Sequence, residues 1–164
     1  MYGAKWVGNY QGGTAPIAKF LIKATEVIAK GDLLTIDDGT GKVDVVASGG
    51  NEPLLGIANE TVTGNSGGTN KVEVILALHG SKWIMDNDNT SETFAQDDVG
   101  EWVDVIGGTG ACIVDTDTDG ATPGSAKSTL LCLEYNPQGY GYDDDTSIGL
   151  YTPIYTYFGT SHIA

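Results

Sequence analysis

Arginine is missing from this chain: all eight basic side chains are lysines, set against 22 acids, for a formal charge of −14 over 164 residues. Tight contact with a nucleic-acid duplex uses several Lys or Arg on one face, with bidentate Arg prominent, so this composition argues against a nucleic-acid partner. The same charge disfavours polyanionic membrane surfaces. Histidine is nearly as scarce, with only His79 and His162. A three-histidine metal site is therefore excluded within one chain, and a Ser-His-Asp triad would have to be built on one of these two with no supporting motif. Cysteine is limited to Cys112 and Cys132, each inside an apolar run and without CxxC spacing, which favours two buried thiols over a disulfide framework or metal ligands. No apolar run is long enough to cross a bilayer. Residues 1 to 15 hold one lysine and no uninterrupted apolar stretch, so no secretory signal is visible and the chain reads as soluble and unprocessed.

What the chain does contain is turn chemistry. Its 24 glycines, with Thr, Asn and Asp scattered throughout and no long Ala/Leu/Glu/Lys blocks, predict short strands joined by turns, hence an all-β class. LLTID, the turn Asp38-Gly39-Thr40-Gly41 and KVDVVAS read as a hairpin, with Val43, Val45 and Ala47 on one face. In KVEVILALHG, Val72, Val74, Leu76 and Leu78 alternate with Lys71, Glu73, Ile75 and Ala77. SKWIMD, EWVDVIGG, ACIVDTD and STLLCLEY continue the style, so residues 17–136 read as one β-barrel or sandwich body built from local hairpins. One segment conflicts: Ile17, Phe20, Leu21, Ala24, Val27 and Ile28 follow helical spacing between Thr14 and Gly31.

Outside that body the aromatic residues concentrate. Nine of the fourteen lie in residues 1–16 and 137–164, among them Tyr2. Terminal arms ordinarily lack rings, because they have no surface to bury them against, and exposed aromatic clusters mark interfaces. The sequence therefore divides into an N-terminal arm (1–16), a β-body (17–136) and an aromatic C-terminal arm (137–164). The candidate interface residues are Trp6, Tyr10, Tyr140, Tyr142, Tyr151, Tyr155, Tyr157 and Phe158. On this reading, removal of residues 147–164 leaves the body folded and weakens attachment. The alternative is that both arms fold back on their own barrel as extra strands.

No catalytic constellation can be written from the remaining residues. Asp115, Asp117 and Asp119 with Gly120 match the first half of a calcium loop, but the closing position is Ala126 and no helices flank it, so a solvated turn accounts for the same letters. Asp143, Asp144 and Asp145, and the Asp86–Asp88 region, read as exposed acidic loops. The paired glycines open no phosphate loop, since none is followed by Lys-Ser or Lys-Thr at a helix start. The expectation is a protein that is not an enzyme and needs no cofactor or metal.

VIAKGDLLTID, GKVDVVASGGNEPLLGIANETV and NKVEVILALHGSKWIMDND together resemble the head-decoration, or capsid cement, proteins of tailed bacteriophages. The elements that carry the likeness are the Lys30-Gly31-Asp32 turn entering a strand, the Gly41–Val43 hairpin, the Leu55–Ala58 strand and a Val-Glu-Val strand closing on His79 and Gly80. The resemblance covers residues 19–88 best. It implies a small β-barrel that binds the outer surface of the major capsid protein shell and stabilises it, usually as a homotrimer, on a virion assembled in the host cytoplasm. It also implies that residues 19–24 form a strand, and strand is adopted over helix on that ground. The extension 137–164 departs from shorter members of that family. A second reading, from a different class, is a non-catalytic carbohydrate- or host-surface-binding β-module that stacks Tyr and Trp on sugar rings.

Overall fold

The structure, a computed structural model, describes residues 3–48, 52–78, 80–88, 93–110, 112–115, 130–141 and 147–160. It is all-β, with antiparallel sheets packed as a sandwich and one short 3-10 turn at Gln96–Asp98. The first sheet has five strands in the order β2 (Ile17–Leu21), β8 (Lys71–Leu76), β6 (Gly56–Ala58), β4 (Leu33–Asp37), β5 (Lys42–Val45). A two-stranded ribbon, β3 (Val27–Ile28) with β7 (Val62–Thr63), accompanies it. The second sheet has six strands in the order β1 (Lys5–Asn9), β9 (Ser81–Asp86), β13 (Ile148–Pro153), β12 (Leu130–Tyr135), β10 (Trp102–Ile106), β11 (Ile113–Asp115). A terminal ribbon pairs β14 (Tyr155–Thr156) with β15 (Gly159–Thr160).

The segment with helical spacing is a strand followed by a turn. Ile17–Leu21 pairs residue by residue with Ile75–Lys71, and Ile22 then forms a parallel bridge to Val43, with the Lys23 amide donating to the Val43 carbonyl at 3.0 Å. That bridge brings the two end strands of the five-stranded sheet together and curls it around its own core of Ile22, Ile28, Leu34, Val43, Leu55, Ala58, Val72 and Val74. The opposite face of the same sheet, through Leu33 and Ile57, meets the six-stranded sheet over a larger core containing Trp83, Met85, Phe94, Val103, Val105, Cys112, Cys132 and Tyr151. Burial on both faces is why Ile75 is as apolar as its neighbours in β8, where simple alternation would place a polar residue.

Three expectations are corrected. β5 ends at Val45, so Val46 turns inward (2 % exposed) while Ala47 is exposed, breaking the alternation read from KVDVVAS. The pairing is only partly local: β4–β5, β10–β11 and β12–β13 are sequential neighbours, but β2–β8, β1–β9 and β9–β13 join distant segments. The proposed arms are not appendages. β1 is an edge strand of the six-stranded sheet, and β13 lies between β9 and β12 with every residue buried. Residues 5–9 and 148–153 are therefore strands of the body itself.

The Lys30-Gly31-Asp32 turn has a specific structural role. Gly31, at φ +92°, lies against Gly3 so closely that a Cβ on either would strike the other's backbone, and its carbonyl accepts the Ala4 amide at 2.8 Å. Asp32 is fully buried, and its two carboxylate oxygens each accept one amide at 2.7 Å, from Ala29 and from Gly110. This residue therefore ties the five-stranded sheet to the loop beyond β10. Gly107 lies on Val46 where no side chain fits and donates its amide to the Ser48 hydroxyl at 3.0 Å, a second tie between the sheets.

At the barrel seam the Lys23 ammonium is 2.6 Å from Asp44 and 3.0 Å from Asp37. The Lys23 hydrogen bond, followed by that of Thr40, holds the Asp37 carboxyl below its ordinary value of 3.8. The contribution of Asp37 to stability is thus complete above that value and is lost as pH falls through the lowered one. Asp32 runs the opposite way: burial raises its carboxyl, so its contribution is complete below 3.8 and is lost as pH rises through the raised value. Lys23→Met is expected to lower the thermal midpoint at pH 7, with the gap to the parent narrowing as acid protonates Asp37. Melting curves from pH 7 to pH 2 check this, and a gap of constant size would contradict it.

Candidate functional site

The structure disperses the aromatic residues. Trp6 faces inward from β1, directly opposite Trp83, which stands opposite Tyr151, which stands opposite Cys132. These four form a transverse row under the six-stranded sheet. Tyr151 is fully buried and donates its hydroxyl to the Asn87 side-chain oxygen, while the Asn87 amide donates to the Ser147 carbonyl at 2.7 Å. Burial raises the Tyr151 hydroxyl well above its usual range. Tyr151 is therefore withdrawn as an interface residue: a ring at the centre of its own core has no area left to share. Tyr140 packs on the opposite face of that sheet, against a cluster of Ile84, Ile148 and Leu150. Tyr142, the Tyr155 side chain, Tyr2, both histidines, Asp117, Asp119 and Asp143–Asp145 lie outside what the structure describes.

Three candidates remain at the surface. Tyr10 is 55 % exposed beneath the Lys82 ammonium, 4.5 Å from its ring centre, and its own amide donates to Gly80. Tyr157 lies on the outside of β4, its hydroxyl donating to the Ile36 carbonyl at 3.2 Å and standing 3.3 Å from the Thr35 hydroxyl. Phe158, 47 % exposed, follows it. A surface for stacking sugar rings needs accessible aromatic faces, and Trp83 and Tyr151 are instead fully buried, while Trp6 is partly buried against the same core.

Sequence reasoning missed the exposed apolar residues on β2. Ile17 (51 % exposed) and Leu21 (41 %) point away from the barrel interior, with Lys19 between them and Phe20 turned inward. Val27, on β3 of the two-stranded ribbon, is likewise exposed at 46 %. Helical spacing had grouped Ile17, Phe20 and Leu21 on one face. Strand parity separates them, and the lysine at position 19 was the available sign that Ile17 and Leu21 share its solvent-facing side.

The remaining chemistry is muted. Among the described residues no three His, Cys, Asp or Glu side chains gather as a metal-binding group. Cys112 and Cys132 are free and buried, with burial raising their thiols to about 11 and about 12, so neither is a thiolate at neutral pH. Cys112 instead fills the inter-sheet core, accepting the Leu33 amide at 3.4 Å and donating to the Gly108 carbonyl. A cleft of about 360 Å³ opens between Ala4–Trp6, Lys30–Gly31 and Ile57–Asn59, with apolar walls and no acid–base pair lining it. The acidic groove along Asp37, Asp38, Asp44 and Glu52 is bridged on two of its carboxylates by Lys23. Comparison with family models, with curated proteins and with solved structures finds no match to this chain.

Proposed function

We propose that this protein is a structural virion component that seats on the outer surface of a tailed-phage head and holds neighbouring shell subunits together, as a homotrimer. The observation that carries the reading is the exposed apolar set on the barrel exterior, Ile17, Leu21 and Val27, with Tyr157 and Phe158 on the terminal ribbon. It stands beside the resemblance of residues 19–88 to capsid cement proteins. On this reading the docking residues lie on the barrel exterior and not at the buried Tyr151. Each fully buried aliphatic or aromatic side chain contributes about 1.5–3 kcal/mol, and these are already half covered, so a single contact of this kind is weak. A shell that presents many copies of one site turns weak contacts into firm attachment through effective concentration. The high negative charge keeps free copies apart until the shell gathers them.

The test is sedimentation of the purified protein with empty, undecorated phage heads. Saturable pelleting, and a rise in the temperature at which the heads disrupt, is the expected result. Heads that neither capture the protein nor gain stability would overturn the reading.

A further inference from the structure

We propose that the outer edge of β2 accepts an added β-strand from a partner protein, one with an acidic residue flanked two positions away on each side by apolar residues. The geometry follows from the register with β8. The Ile22 amide donates to Asn70 and the Leu76 amide to Pro16, so the even-numbered residues of β2 direct their backbone groups toward β8. Ile17, Lys19 and Leu21 direct theirs the other way, the side on which the Lys23 amide reaches Val43. The seam to β5 takes in Leu21 as well as Ile22 and Lys23, since the parallel Ile22–Val43 bridge sets β5 beside it, and leaves the amides of Ile17 and Lys19 without a backbone partner among the described residues. An open edge of this kind is a template for pairing.

Charge selects the occupant. The outward side chains form cross-strand pairs Ile17 with Ile75, Lys19 with Glu73 and Leu21 with Lys71. The single acid there is 3.9 Å from Lys19, whose side chain remains 62 % exposed, so two lysines face one glutamate on a chain where acids otherwise outnumber bases. A second copy of β2, added antiparallel about Lys19, would set lysine against lysine, an unfavourable pairing between two chains that already repel at −14 each. An acid opposite Lys19, with apolar neighbours extending Ile17 and Leu21, satisfies both backbone and side chains.

This deepens the proposed function by naming the kind of contact a shell subunit would offer, and it rests on that reading only for the partner's biological origin. The probe is a fluorescein-labelled peptide, Thr-Val-Thr-Glu-Thr-Val-Thr, titrated into the intact protein and followed by anisotropy. Binding is expected, with affinity reduced roughly fivefold or more when lysine replaces glutamate in the peptide. Lys19→Glu should reverse that preference. Lys19→Pro should abolish binding while leaving the β8 pairing, since proline is tolerated where an edge amide faces out. Amide exchange supplies a readout independent of any variant: Ile17 and Lys19 should exchange rapidly in the free protein and slow on peptide addition. Unchanged exchange at saturating peptide, or equal binding by the Lys19→Pro protein, would overturn the proposal. So would a dimer in which those amides are protected without peptide, which would mean self-pairing. Peptide binding without capture by heads would sink the virion reading and leave the strand-acceptor edge standing.

Discussion

A chain ending at residue 146 is expected not to fold. The truncation removes β13, whose Ile148, Leu150 and Tyr151, with the adjoining Ile154, are all at most 5 % exposed. At about 1.5–3 kcal/mol for each fully buried large side chain, four of them represent roughly 6–12 kcal/mol, comparable to the entire stability of an ordinary domain. The loss is also topological. β13 is hydrogen-bonded to β9 on one side and β12 on the other, so its removal splits the six-stranded sheet and creates two long apolar edges that invite aggregation. A chain ending at residue 156 keeps β13 and, among the described residues, forfeits Tyr157, Phe158 and β15. It should fold with a loss on the order of 1 kcal/mol. Circular dichroism and urea unfolding of the two truncations check this. A cooperative transition near the parent midpoint for the 146-residue chain would contradict the placement of β13.

Trp83→Ala should be among the most damaging single substitutions, lowering unfolding free energy by about 3–5 kcal/mol. Trp83 is fully buried at the middle of the inward row from Trp6 to Cys132, with core residues of both sheets around it. The informative companion is Trp83→Phe. The indole N–H of Trp83 is buried without an acceptor among the described residues. Phenylalanine removes that unmet donor while keeping most of the ring volume, so the expected loss is under about 1.5 kcal/mol. Urea denaturation resolves the two outcomes. Equal losses would mean that the indole nitrogen has an acceptor.

Much of the strand inventory was legible from local pattern. LLTID, the Asp38–Gly41 turn, KVEVIL and SKWIMD each carry alternation or turn residues that a half-buried strand requires, and each is a strand or turn in the structure. The failures share a cause. Residues 16–31 matched a helical period because a five-residue strand is too short to establish its own. IGLYTP carries glycine and proline where local reading expects loops, yet it is buried on both faces because β9 and β12, distant in the chain, pair with it. The interface candidates inherited that error: a tyrosine in an apparent tail looks available, and Tyr151 is not.

Composition and turn spacing alone determined that this chain is all-β, strongly acidic and supplied with two buried thiols, because those properties depend on residue type and near neighbours. Which ends are arms, which aromatic rings are core and which strand keeps an open edge were decided only by tertiary structure. Those outcomes depend on pairings between segments such as β9 and β13, more than sixty positions apart. No local pattern encodes them, and the hydrogen-bond register that frees Ile17 and Lys19 exists only once β8 has taken its place beside them.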